Sequence, residues 1–205
     1  MSNNLQKLEE DYIDCFREIT NVAMGQAADL LARLLNVFII LPIPNVNLLE
    51  ESELRMALAS IDESDQVSAV CQGFIGGSIS GEALLIFNDA SFEDIAKLSQ
   101  PDVKEIDEVM ELEILMDTSN ILIGACLRGI AEQLDIHFSQ GHPTVLGRHV
   151  NVSELMKTNA NRWKQTLAIE INYTIEHHQV NCDLLLLFTD SSLARLKEKA
   201  DYLLD

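Results

Sequence analysis

The same spaced set of polar and small residues occurs twice in this chain, with the two copies 99 residues apart. The first, copy 1, is Asp14, Glu18, Asn21, Gly25 and Pro44. The second, copy 2, is Glu113, Asp117, Asn120, Gly124 and Pro143. On an α-helix, the two carboxylates and the asparagine of each copy fall within about 60° of one face. LLIFND at 84–89 and LLLFTD at 185–190 recur at nearly the same separation. The chain is therefore predicted to be an internal duplication.

Hydrophobic periodicity predicts one long helix at the start of each half, from about Glu10 to Leu35 and from about Glu108 to Leu134. In the first helix, one apolar stripe is expected to face the core: Tyr12, Phe16, Ile19, Ala23, Ala27, Leu30 and Leu34. Asp14, Glu18, Asn21, Gly25, Ala28 and Ala32 are expected on the opposite face.

Strands are predicted mainly in the second part of each half, at 66–74, 78–87, 167–174 and 182–188, with the first two joined at Gly76-Gly77. A short buried strand is expected in NVFIILPIP, and short helices at 51–60, 91–98 and from Ser191. Neither half has enough strands to cover its own helix, so one joint sheet is expected. The predicted class is mixed α/β. The whole chain, 1–205, would form a single pseudo-two-fold domain with halves of about 8–100 and 107–205 and a central, largely antiparallel sheet.

Composition excludes some partners and favours one compartment. The hydrophobic fraction of 47% is sufficient for a core, and the formal net charge of −19 makes nucleic acid and anionic membranes poor partners. The amino-terminal sequence has no basic and apolar regions of a secretory signal, and the longest apolar run, 37–43, is too short to span a bilayer. These features predict a cytoplasmic protein, in which the four cysteines are free thiols.

The spacing D-x-x-x-E-x-x-N, followed by x22-P, resembles the signature of the CheC/CheX/FliY family of bacterial chemotaxis phosphatases. Copy 1 matches this pattern at all four positions. In copy 2, Asn120 and Pro143 match, but Asp117 stands where the family has glutamate and Glu113 where it has aspartate or serine. Two copies in one chain are the CheC-like arrangement, and the resemblance extends over essentially the whole sequence.

The resemblance implies hydrolysis of the aspartyl phosphate of a CheY-type receiver domain. Such a phosphate is already reactive, and the receiver supplies its own Mg²⁺ and lysine, so this chain needs no cofactor or metal of its own. The missing element is a water held in line with the scissile bond, which a neutral asparagine carboxamide can position. Asn21 and Asn120 are the expected water-positioning residues. Glu18 and Asp117 are expected to dock the receiver, with Asp14 and Glu113 in supporting positions.

Copy 2 is expected to be the weaker site. Aspartate is one methylene shorter than glutamate, which withdraws the Asp117 carboxylate by about 1.3 Å. Positional errors of that size can cost on the order of 100-fold in rate. Copy 1, in which Glu18 and Asn21 match the family pattern, is therefore ranked as the more active site.

Three alternatives remain open at the level of sequence, one of which is a plain structural duplicate domain that binds no receiver. Acidic residues near a helix start are common because they suit the helix dipole, so Asp14 and Glu113 could serve only the helices. The chain could also be a non-catalytic adaptor for phosphorylated receivers. As a family, CheC-type proteins pair with the receptor deamidase CheD, which makes a CheD-type protein a further candidate partner, and related folds serve in the flagellar switch. The oligomeric state is not predicted.

Other motifs are weaker. QGFIGGSISG lacks the G-K-[ST] ending of a phosphate-binding loop. His177-His178 is expected in a surface loop or at a strand end, and Trp163 as a partly buried anchor.

Overall fold

A computed structural model describes residues 2–50, 53, 56, 66–99, 105–151, 165–178 and 180–204, and four helices have their bounds among these residues. They are α1 (Ser2–Leu35), α2 (Ser91–Ser99), α3 (Glu108–Gln133) and α4 (Asp190–Leu204). The two long helices predicted from periodicity are confirmed, although α1 begins well before Glu10. Of the helix predicted at 51–60 the structure describes only Glu53 and Met56, and both are helical. The side chain of Trp163 lies outside the described residues.

In the described part of the chain, eight strands form one sheet in which every pairing is antiparallel. They are β1 (Ile39–Ile40), β2 (Asn45–Glu50), β3 (Val67–Gly76), β4 (Ile79–Asn88), β5 (Ser139–Gln140), β6 (Thr144–Val150), β7 (Gln165–Ile175) and β8 (Asn181–Phe188). The order is β1-β7-β8-β4-β3-β5, with β2 also paired to β7 and β6 to β3. Strands of both halves thus alternate in a joint sheet, which confirms the mixed α/β prediction.

The sheet is symmetric about its central strand pair. Leu84 of β4 pairs with Leu185 of β8, and these two leucines are also equivalent positions of the repeated LLIFND and LLLFTD segments. An approximate two-fold axis therefore passes between them. It exchanges β1 with β5, β2 with β6 and β3 with β7, as expected for an internal duplication.

One face of the sheet carries the long helices. Inward side chains of β4, such as Leu85 and Phe87, join buried residues of α1 and α3 in the main core. The alternate side chains, including Leu84 and Ile86, belong to a second buried cluster with Leu185. Burial on both faces explains why the central strands read as continuous apolar runs. Helix α3 is long and apolar enough to pass as a membrane span, but 61% of its most apolar window is buried, as in a core helix.

Several local predictions were wrong. The β3–β4 turn is at Gly77 and Ser78, both with positive φ (57° and 64°), while Gly76 still pairs with Ile79. The left-handed conformation at both turn positions gives the twist that a two-residue hairpin needs, and glycine adopts it without strain.

The strand expected to be buried in NVFIILPIP is only a two-residue edge strand. Phe38, Ile40 and Ile43 are 68%, 46% and 78% exposed. Pro42 and Pro44 lack the N–H groups that would extend the strand. The adjoining strand β2, after Pro44, was not predicted, and neither was β6 after Pro143.

The buried stripe of α1 also differs from the prediction. Leu30 and Leu34 are 46% and 60% exposed, whereas Ala28, placed on the motif face by the sequence, is buried with Leu31 and Leu35. Helix α1 packs against both the sheet and α3, so its buried face broadens toward its carboxyl end.

Candidate functional site

The carboxylates and asparagines of both copies lie on the solvent face of the two long helices. Every one of them is exposed: Asp14, Glu18, Asn21, Glu113, Asp117 and Asn120. The helical spacing places Glu18 next to Asn21 on α1, and Asp117 next to Asn120 on α3. The structure therefore brings together the predicted partners within each copy and presents them to a molecule outside the chain.

The helix-dipole alternative does not account for copy 1. Because α1 begins at Ser2, Asp14 and Glu18 lie several turns inside the helix, and the dipole acts only within the first turn. In α3 the amino terminus is served by Asp107, whose side chain accepts a 2.8 Å hydrogen bond from the Met110 N–H. Glu113 and Asp117 lie beyond that turn. The motif carboxylates have no capping role in either helix.

The two helices run antiparallel and approach most closely away from the motif faces. A methyl group added at Gly129 would lie 2.7 Å from the Cα atom of Ala23. Gly25, by contrast, has no other residue within 4 Å of that position, and Gly124 has only the Gln140 side chain, at 3.9 Å. Helix packing therefore requires Gly129 but neither motif glycine. Gly25 and Gly124 leave a flat, open surface between the two copies.

A buried hydroxyl precedes each motif asparagine. The Thr20 hydroxyl donates a 2.7 Å hydrogen bond to the Phe16 carbonyl, and the Ser119 hydroxyl donates one of 2.5 Å to the Leu115 carbonyl. Thr20 and Ser119 are equivalent positions of the duplication and are both fully buried. These bonds fix the helix turn from which the asparagine projects. The 99-residue spacing could have shown this pair, which sequence reasoning missed.

The supporting carboxylates differ in their surroundings. Arg17 donates a hydrogen bond to Asp14 and forms a salt bridge with it. The position equivalent to Arg17 in copy 2 is Met116, and no described residue pairs with Glu113 or Asp117. Copy 2 therefore presents two uncompensated negative charges, whereas one carboxylate of copy 1 is neutralised locally.

A cavity of about 180 Å³ opens beside copy 2, between α1, α2 and α3. We refer to it as the copy-2 pocket. Apolar residues, including Leu34, Leu35, Ile95, Met110 and Ile114, form one part of its walls. Glu113, Asp117 and Ser99 also line it. The corresponding end of copy 1 has a different cavity, in which Leu134 and Tyr202 are accompanied by charged and polar residues: Gln133, Asp135, Arg195, Glu198 and Lys199.

The part of the chain that the structure describes contains no cluster of three or more His, Cys, Asp or Glu residues able to hold a metal ion. His177 and His178 lie in the turn after β7, as the sequence predicted for a surface segment. The four cysteines are free, and burial raises the pKa of the Cys126 thiol to about 12.

A polar cluster outside both copies joins α3 and β6 of the second half to β3 and the residue after β4 in the first half. His149 lies 2.7 Å from Asp89 through Nδ1 and 3.0 Å from Glu111 through Nε2. The Ser68 hydroxyl donates to Asp89 at 2.9 Å, and Arg148 pairs with Glu111. The hydrogen bond to Asp89 raises the pKa of His149. Both ring nitrogens are engaged, so this cluster is a structural clamp.

Several solved structures share this fold. FliY from Thermotoga maritima superposes with a TM-score of 0.65 at 19% identity, covering 93% of this chain and 96% of that one. The chemotaxis protein CheX from Vibrio vulnificus superposes with a TM-score of 0.56 at 12% identity, covering 83% of this chain and 99% of that one. The FliM middle domain from H. pylori superposes with a TM-score of 0.58 at 13% identity, covering 92% of this chain and 97% of that one. Neither a protein-family model nor a curated protein sequence matches the chain. The chain thus has the CheC/CheX/FliY fold.

Proposed function

Because the chain has the fold of CheX and FliY, we propose that it acts in chemotaxis, in the cytoplasm, as a phosphatase of a CheY-type receiver domain. The observation that carries the proposal is the pair of exposed carboxylate–asparagine sets, one on each long helix. Exposed polar groups on a rigid helix suit a substrate that is itself a folded protein. The whole chain, 1–205, is taken as one functional unit of two halves.

In this proposal Asn21 accepts a hydrogen bond from the attacking water and donates one to a phosphoryl oxygen. Glu18 pairs with a receiver lysine and fixes the docked geometry, so it is not a general base. Water attacks phosphorus, the aspartyl oxygen leaves as carboxylate, and inorganic phosphate is released. The receiver supplies Mg²⁺. Asn120 and Asp117 perform the same tasks less effectively at copy 2, because the acid is shorter.

The test is the decay of a phosphorylated receiver from the same cell, with and without this protein. Wild-type protein should accelerate the decay. Asn21→Ala should remove most of the acceleration, Asn120→Ala a smaller part, and the double variant nearly all of it. The reason is that loss of a correctly positioned water can lower the rate on the order of 100-fold. Because both asparagines are exposed, the variants should keep the wild-type unfolding curve. Absence of acceleration by the wild type, or full activity in the double variant, would refute the proposal.

An adaptor function is the second candidate. The FliM middle domain shares the fold, and the shortened acid of copy 2 suits binding better than catalysis. An adaptor for phosphorylated receivers, or for a CheD-type deamidase, would bind its partner without changing the phosphate lifetime. Binding to the phosphorylated receiver together with an unchanged decay rate would favour this function.

A further inference from the structure

The end of the helix pair that holds copy 2 is apolar where the equivalent end at copy 1 is polar. Leu34 and Val109 are 60% and 64% exposed, and Phe38, four residues past Leu34, is 68% exposed. Their equivalents 99 residues away in the duplication are Gln133, Glu10 and His137, which are all exposed polar residues. Several exposed apolar side chains at one end of a helix pair mark an interaction surface more often than a single one does, and Leu34 also lines the copy-2 pocket.

The copy-2 pocket adds a concave site to this apolar surface. Its walls of Leu35, Ile95, Met110 and Ile114 offer no hydrogen-bonding side chain, so they favour an apolar occupant. Its volume of about 180 Å³ is of the size of one large side chain. Glu113 and Asp117 line the same pocket and have no partner among the described residues. An occupant that carries positive charge beside its apolar group would satisfy both features.

We propose that the copy-2 pocket docks the receiver by taking one of its large apolar side chains, next to a basic side chain that pairs with Glu113 and Asp117. This inference rests on the proposed function, since the partner is the receiver. Copy 1 then docks through polar contacts alone. The duplication has thus produced two docking surfaces with different chemistry, and copy 2 holds its partner by apolar burial.

The experiment measures binding of a receiver from the same cell, held in its phosphorylated form by beryllofluoride. All proteins carry Glu18→Ala and Asn21→Ala, so that copy 2 provides the binding. Leu34→Glu should weaken binding about tenfold or more, because the variant loses the burial of a leucine side chain against the receiver. The matched control is Gln133→Glu, the same change at the equivalent position of copy 1, and it should leave Kd within about twofold.

A second variant fills the pocket and leaves its charges in place. Ser99 is exposed at the pocket, so Ser99→Trp should keep the fold and also weaken binding about tenfold. Equal affinity of Leu34→Glu and Gln133→Glu, or no effect of a folded Ser99→Trp, overturns the docking inference and leaves the phosphatase proposal standing. If Leu34→Glu and Ser99→Trp weaken binding strongly but the wild-type chain does not accelerate phosphate decay, the phosphatase proposal is overturned and the docking inference stands. Absence of any receiver binding overturns both.

Discussion

The motif glycine Gly25 is not required by helix packing, and its small size instead leaves room for a docked partner. Gly25 lies inside α1, and a methyl group there would meet no other residue within 4 Å. Alanine in a helix interior is about 0.5–1 kcal/mol more favourable than glycine. Helix stability alone therefore gives no reason for glycine at this position, whereas close approach of a docked partner does.

Gly25→Ala is accordingly expected to stabilise the protein by about 0.5–1 kcal/mol and to slow receiver dephosphorylation. Urea unfolding measures the first effect and the phosphate-decay assay the second. Ala194→Gly, at an exposed position of α4, is the control for a change in helix propensity away from the motif; it should destabilise its helix and leave the rate unchanged. If Gly25→Ala stabilises the chain at full activity, the partner does not approach this surface.

His149 should make stability depend on pH. Its pKa is raised in the folded state, chiefly by the hydrogen bond to Asp89, so its contribution is fully present below the unfolded pKa of about 6.5 and is lost as pH rises through the folded value. Glu111 and Arg148 are the other charged groups at the ring. His149 has a φ of 52°, which asparagine tolerates. His149→Asn is therefore the substitution that keeps the backbone.

The difference in urea midpoint between wild type and His149→Asn should be larger at about pH 5.5 than at about pH 8.5. A difference that is constant with pH would show that the ring is held by packing alone. Because the side chain is 40% exposed, the effect is expected to be modest.

At the scale of elements, the crossing of α1 and α3 depends on Gly129. A methyl group there would lie 2.7 Å from the backbone of Ala23, so the helices would have to separate. Gly129→Ala should cost about 1–3 kcal/mol through overpacking, despite the better helix propensity of alanine. The urea midpoint should fall for Gly129→Ala and rise for Gly25→Ala, which would show that the two helices are in close contact at Gly129. A higher urea midpoint for Gly129→Ala would contradict this contact.

The long elements could be predicted from sequence because their patterns are strong and local. The motif helices carry apolar residues at helical spacing, and β4 and β8 carry continuous apolar runs. The 99-residue repeat shows the same pattern a second time. Strand β6 was missed because it contains Gly147 and pairs with β3 through register shifts. The exposure of Leu34 could not be predicted, since it depends on how α2 and α3 surround the end of α1. The copy-2 pocket has residues from three helices, so no local pattern encodes it.

At the scale of the whole molecule, the duplication places both copies on the same face of the helix pair. The contact between Ala23 and Gly129 shows that these two residues lie at the same height along the axes of α1 and α3. With a rise of 1.5 Å per residue and helices about 8–10 Å apart, Asn21 and Asn120 are separated by roughly 15–20 Å. A globular domain of about 100 residues has a radius of gyration of about 13 Å. Two docked receivers would therefore overlap over the centre of this face.

The chain is thus expected to bind one receiver at a time, although it has two copies of the motif. Sedimentation of the protein with excess receiver in the beryllofluoride form should give one receiver per chain, for the wild type and for Asn21→Ala or Asn120→Ala. Two receivers per chain in the wild type, and one in either variant, would show that two docked receivers do not overlap near the two-fold axis, which passes between Gly25 and Gly124.

If only one receiver binds at a time, the two copies also compete: a receiver held at the apolar copy-2 surface would block copy 1. In that arrangement, Leu34→Glu should increase the decay rate catalysed by copy 1 when receiver is in excess.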